Sequence, residues 1–144
     1  MINKDICNSI SKIHSAIMDA KYSGEFKWGD RMSNFPGGCC DDACDLLSYY
    51  LYQKFGIRTK QKKGFSETND TYHAWLIIDE RIIIDITVGQ LKEFYGFASG
   101  IYIGEENSFY MGLTDKEIYQ NYDITRDERL WNDYKKIMKH MCEE

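Results

Sequence analysis

Two apolar runs separated by three charged residues set the tightest limit on this fold. Tyr72 to Ile78 and Ile82 to Thr87 are rich in β-branched and aromatic residues, with only Asp79-Glu80-Arg81 between them. That arrangement predicts a β-hairpin. The second run contains Asp85, flanked by Ile84 and Ile86. A carboxylate inside an apolar strand is costly unless paired or hydrogen-bonded, and His73 in the first run is a fitting partner. Side chains alternate faces along a strand, so loop length decides whether the two can meet. A two-residue loop would pair Ile78 with Arg81 and put His73 and Asp85 on opposite faces. A three-residue loop, with Ile78 opposite Ile82 or Ile77 opposite Arg81, puts them on one face. An odd-length loop or a compensating bulge between Ile77 and Ile82 is therefore expected.

A helix is the second constraint. Pro36, the single proline, leads into Gly37-Gly38-Cys39-Cys40, and a helical pattern runs from Cys40 to Phe55, where Gly56 supplies the stop. On a wheel of about 100° per residue, Cys40, Ala43, Cys44, Leu47, Tyr50, Leu51 and Phe55 share one arc. Asp41, Asp42, Asp45, Tyr49, Tyr52 and Gln53 oppose it. The apolar arc demands a hydrophobic partner surface, which the hairpin offers. Cys40 points toward the body of the domain, and Cys39 lies at the edge of the arc. Cys44 faces inward one turn deeper, where a thiol is usually inert packing.

A thiol at a helix start, a histidine on a strand and a carboxylate on the next strand are the parts of a cysteine nucleophile site. Unpaired N–H groups and the helix dipole favour thiolate at Cys40. The same N–H groups can hold an oxyanion formed when sulfur attacks a carbonyl. Gly37 and Gly38 leave room for a substrate backbone. Asp41 and Asp42 act the other way, placing negative charge beside the sulfur. Asn34, Trp28 and Gln90 are candidates, by polarity alone, for a second oxyanion donor.

At 144 residues the chain suits a single domain, 1–144. Ile6, Ile10, Ile13 and Ile17 mark an amphipathic N-terminal helix. Tyr22 to Asn34 reads as a loop, Ile57 to Phe65 as a short basic strand, Ser66 to Thr71 as a polar turn and Gly100 to Ile103 as a further strand. Thr114-Asp115-Lys116-Glu117 and Thr125-Arg126-Asp127-Glu128 have the form of capping boxes that open helices. The last helix carries a stripe of Leu130, Trp131, Tyr134, Ile137, Met138 and Met141. His14 and His140 lie on helical patterns with no partner in view. The expected fold class is α+β, a mainly antiparallel sheet with the Cys40 helix packed on it and flanking helices from both termini.

A net charge of −5, with no basic run beyond Lys60 to Lys63, argues against a nucleic-acid partner. No apolar run approaches the roughly 20 residues needed to cross a membrane, so no membrane partner is expected. Five cysteines, at 7, 39, 40, 44 and 142, are odd in number with two adjacent, and no secretory segment precedes them. That usage points to a reduced, cytoplasmic protein with free thiols.

Phe35-Pro36-Gly37-Gly38-Cys39-Cys40-Asp41-Asp42-Ala43-Cys44-Asp45-Leu46-Leu47, then His73-Ala74-Trp75, then Ile84-Asp85-Ile86-Thr87, resembles the transglutaminase-like branch of the papain-like fold. The resemblance covers roughly Phe35 to Gln90. Asp41 and Cys44 stand where that family would have Gly and Ser. Gly37-Gly38-Cys39-Cys40 also resembles the Arg-Gly-Gly-x-Cys stretch of arylamine N-acetyltransferases, with Pro36 in place of their Arg. The resemblance implies Cys40 as nucleophile, His73 as general base and acid, and Asp85 as the group that orients His73. It implies a thiol-dependent acyl-transfer enzyme without a cofactor, acting on a protein, peptide or other amide-containing substrate. Hydrolysis of a peptide, isopeptide or side-chain amide leads, with amine acyl transfer as the alternative. Two other classes compete. Cys39, Cys40, Cys44 and His73 could ligate zinc, although adjacent helical cysteines diverge and no Cys-x-x-Cys pair exists. A catalytically silent interaction domain on the same fold is the other.

Overall fold

The computed structural model describes residues 2–95, 99–120 and 123–141, so Cys142 lies outside the described residues. In chain order the elements are α1 (Lys4–Tyr22), α2 (Cys40–Phe55), β1 (Lys60–Ser66), β2 (Thr71–Ile78), β3 (Ile82–Asp85), β4 (Tyr102–Glu105), α3 (Ser108–Met111), β5 (Thr114–Tyr119) and α4 (Glu128–Lys139), with short 3-10 turns between them. The five strands form one sheet in the order β4-β3-β2-β1-β5, and every pairing is antiparallel. The fold is α+β.

The hairpin takes the three-residue loop. Ile78 pairs with Ile82, Ile77 with Ile83 and Leu76 with Ile84, leaving Asp79-Glu80-Arg81 as the loop. Asp79 and Glu80 turn the chain in the left-handed region, at φ 54° and 56°. This register keeps His73, Trp75, Ile83 and Asp85 on one face. β3 stops at Asp85, two residues before the apolar run ends, because the Thr87 N–H turns back to the Asp85 carboxylate at 3.0 Å.

Alternation along β2 and β3 separates two buried clusters. Ala74, Leu76, Ile78 and Ile84 join the apolar sides of α1, α2 and α4, while Trp75 and Ile83 pack with Val88, Leu91, Phe94, Tyr110 and Leu113. Leu47 and Leu51 on the α2 arc are 1% and 0% exposed, which the arc required of a packed helix. Asn3 caps α1 by accepting from the Ile6 N–H at 3.0 Å, and Ile6, Ile10, Ile13 and Ile17 are buried. Gly56 ends α2 at φ 68°, a left-handed cap that L side chains resist.

Four expectations change. Thr114 to Glu117 opens no helix: it belongs to β5, which pairs along the outer edge of β1. The Thr-x-x-Glu pattern is local, whereas the open edge of β1 offers a ladder of backbone hydrogen bonds. All six β5 side chains are exposed, so no apolar face held this segment as a helix. The second capping box moves by two residues, because Asp127 rather than Thr125 caps α4, accepting from the Leu130 N–H at 3.0 Å. β1 runs Lys60–Ser66 instead of Ile57 to Phe65, and β4 runs Tyr102–Glu105 instead of Gly100 to Ile103. On the α4 stripe, Leu130, Tyr134 and Ile137 are buried, Trp131, Met138 and Met141 are half-buried, and Asp133 is buried among them. Among the described residues no helix is long and apolar enough to cross a membrane.

Candidate active site

The three residues singled out by sequence meet where β2 begins and β3 ends. His73 Nε2 lies 2.6 Å from Asp85 Oδ2, with both side chains buried. Asp85 also accepts from the Tyr110 hydroxyl at 2.7 Å and from the Thr87 N–H and hydroxyl at 3.0 and 3.3 Å. With its carboxylate acting only as acceptor, Asp85 fixes the His73 tautomer that carries hydrogen on Nε2. That leaves Nδ1 toward the sulfur. The ring makes a hydrogen-bonding contact with the Cys40 thiol, and Nδ1 lies 3.4 Å from Gln90 Nε2. Trp75 stacks on the imidazole at 6.2 Å and Phe109 meets it edge-on at 6.0 Å.

Burial lowers the His73 pKa, but the charge and hydrogen bond of Asp85, and then those of Cys40, outweigh it and raise the pKa to about 10. The Asp85 carboxylate beside the ring favours its protonated form. The neighbouring thiols are different. Burial, with the charges of Cys40 and Asp42, pushes Cys39 up to about 12, and complete burial puts Cys44 well above its ordinary value. Cys40 alone of the three is partly exposed. It opens α2, where first-turn N–H groups lack intrahelical partners.

Comparison with protein-family models, curated proteins and solved structures returns no match.

The chemistry follows from the contacts themselves. A polarised imidazole against a half-exposed thiol can take and return a proton while sulfur attacks an electrophilic carbon. Gln90 is drawn into this arrangement by the Gly38 N–H, which donates to its Oε1 at 3.2 Å and leaves the Gln90 NH₂ beside His73. Of the other candidate donors, Trp28 is 100% exposed. The Asn34 backbone carbonyl accepts from the Gly37 N–H, and its residue is exposed. Gln90 thus joins the site and the other two side chains do not. Among the described residues no group of three or more His, Cys, Asp or Glu side chains is arranged to hold a metal ion. His14 lies against the Phe35 ring, and His140 pairs with the Glu25 carboxylate.

The negative charges beside Cys40 are both compensated. Asp41 pairs with Lys63 at 2.9 Å and accepts from Gln61 at 3.1 Å. Asp42, only 3% exposed, receives two forked guanidinium groups: Arg129 at 3.0 and 3.2 Å and Arg31 at 3.2 and 3.3 Å. Arg129 also reaches Asp30 at 3.1 Å. Sequence reading missed Tyr110, Arg129, Arg31, Asp30 and Asp133. For Asp133 a signal existed, since a carboxylate on the apolar stripe of α4 needs a partner.

That partner is Asp30. The two carboxyl groups share a hydrogen bond. Burial, then the hydrogen bond and charge of Asp30, raise Asp133 to about 8, while Lys136 and Arg129 pull it down. An acid whose folded pKa lies above its unfolded value binds more protons when folded. Its stability contribution therefore falls as pH rises from about 4 toward 8 and is level above that. Asp133→Asn keeps a donor toward Asp30 without the ionisation. Urea unfolding of this variant should show a flatter stability profile between pH 4 and 8 and greater stability than wild type at pH 8. An unchanged slope would assign the titration elsewhere.

Proposed function

We propose that this protein is a thiol-dependent acyl-transfer enzyme of transglutaminase-like, papain-like architecture that hydrolyses an amide bond. The observation that carries the reading is His73 held between buried Asp85, at 2.6 Å, and the partly exposed thiol of Cys40 at the start of α2. In this reading Cys40 Sγ bonds to the carbonyl carbon, the carbon–nitrogen bond breaks, and His73 gives its proton to the departing amine. Water then attacks the acyl carbon while His73 takes its proton, and the carbon–sulfur bond breaks to restore the thiolate. First-turn N–H groups of α2 and the Gln90 amide are the groups suited to the developing oxyanion. Amine acyl transfer would differ only in the acceptor that replaces water.

Dilute iodoacetamide with peptide mapping tests the nucleophile. Cys40 should label ahead of Cys39 and Cys44, and labelling should persist below pH 7, where an unperturbed cysteine of pKa about 8.5 is mostly thiol. His73→Ala should abolish that selectivity. A rate that tracks the titration of free cysteine would mean that no ion pair forms and would overturn the reading.

A further inference from the structure

One guanidinium nitrogen faces three buried carboxylates. Arg129 Nη1 lies 3.1 Å from Asp30 Oδ1, 3.0 Å from Asp42 Oδ2 and 3.9 Å from Asp133 Oδ2. Such a nitrogen carries only two hydrogens, and Asp30 and Asp42 take both. Asp133 Oδ2 is left buried with no donor on it among the described residues.

This arrangement holds while a proton sits between Asp30 and Asp133. Their shared hydrogen bond needs one carboxyl protonated, and two like charges in contact resist ionising together. Asp133 keeps the proton, its carboxyl raised to about 8 by burial and then by Asp30. Once ionised, Asp133 Oδ2 stands about one ångström beyond an ordinary hydrogen bond from Arg129 Nη1. Nη1 can take it up only by releasing Asp30 or Asp42. Asp30 would fall back on the Met32 N–H at 3.0 Å. Asp42 still holds Arg129 Nη2 at 3.2 Å and the Arg31 fork at 3.2 and 3.3 Å, so it is the one released. Asp42 stands in the first turn of α2, two residues after Cys40.

The other charges around the pair come from every packed element. Lys136 on α4 favours ionised Asp133. On α2, Asp45 is half-buried one turn beyond Asp42. From α1, Lys4, Asp5, Lys12 and Asp19 are exposed, and Lys21 donates to the Phe35 carbonyl at 2.6 Å. Before α4, Asp123 and Arg126 are exposed and Asp127 caps the helix; beyond it, His140 pairs with Glu25.

We propose that this cluster is a proton-operated regulator of the Cys40 site: loss of the proton shared by Asp30 and Asp133 draws Arg129 Nη1 from Asp42 to Asp133. The first turn of α2 then loses part of its hold and of its compensating charge, and reaction at Cys40 slows. The regulatory role rests on the acyl-transfer reading; the movement of Arg129 does not.

Carbon-detected NMR of the Arg129 guanidinium, followed from about pH 6 to about pH 9, reads the movement directly. Its resonances should shift with a midpoint near 8 in wild type and in Cys40→Ala, and stay level in Asp133→Asn. Iodoacetamide rates at Cys40 read the consequence. Wild type and Asp133→Asn should react equally at about pH 6, and the variant about threefold faster at about pH 9. An Arg129 signal that does not titrate, one that titrates unchanged in Asp133→Asn, or a rate ratio equal at both pH values would overturn the proposal. Labelling selectivity in His73→Ala decides the acyl-transfer reading separately, so either can fail alone.

Discussion

Asp85→Ala should cost about 3–5 kcal/mol of stability, the range for removing one member of a buried charged pair. It should also abolish most Cys40 alkylation below pH 7. The loss leaves the His73 Nε2–H, the Tyr110 hydroxyl and the Thr87 N–H without their acceptor, and His73 and Tyr110 are both 0% exposed. The His73 pKa, which Asp85 raises, should fall. A histidine with a raised folded pKa stabilises fully below its unfolded value of about 6.5, and that stability is lost as pH climbs toward about 10. Asp85→Ala should erase this part of the pH profile, whereas Asp133→Asn should leave it in place. Urea unfolding from pH 5 to 10 and iodoacetamide rates at pH 6 measure both effects. A near-wild-type rate at pH 6 would remove Asp85 from the mechanism and leave a Cys-His dyad.

Arg129→Met should cost about 3 kcal/mol, toward the lower end for breaking a buried pair because the guanidinium is partly exposed and Arg31 stays on Asp42. Two buried carboxylates, Asp42 and Asp30, lose their shared partner. Arg129→Lys should recover only part of the loss, since an ammonium cannot make the forked contact. Cys40 alkylation should slow in Arg129→Met, because the charge of Asp42 two residues away is less compensated. Equal stability of the methionine variant and wild type by urea unfolding would show that solvent, not Arg129, satisfies Asp42.

Much of this was legible in sequence because it depended on short-range rules. The α2 boundaries, Cys40 to Phe55, follow from a glycine-rich approach, an unbroken apolar arc and Gly56. The hairpin register follows from requiring Asp85 to find His73, a constraint that one residue of slippage would violate. The rest depends on contacts distant along the chain. Thr114 to Glu117 satisfies a helix-start pattern, yet its conformation is decided by the edge of β1, some fifty residues earlier. Tyr110 carries no local mark of reaching Asp85, and Arg129 none of gripping Asp42. Asp41 and Asp42 read in sequence as charge opposing the thiolate, because their partners Lys63 and Arg129 lie on other elements.

Those two aspartates also settle how α2 may turn about its own axis. Successive helical residues project about 100° apart, so Asp41 and Asp42 leave the first turn in different directions. One is tied to the sheet through Lys63 and Gln61, the other to α4 and the preceding loop through Arg129 and Arg31. A single tether would let the helix swivel around it; two at an angle stop both rotation and axial sliding. The bearing of the Cys40 sulfur toward His73 is thereby set at the first turn of α2. Inserting one residue between Cys40 and Asp41 would swing the sulfur through about 100° while both tethers held.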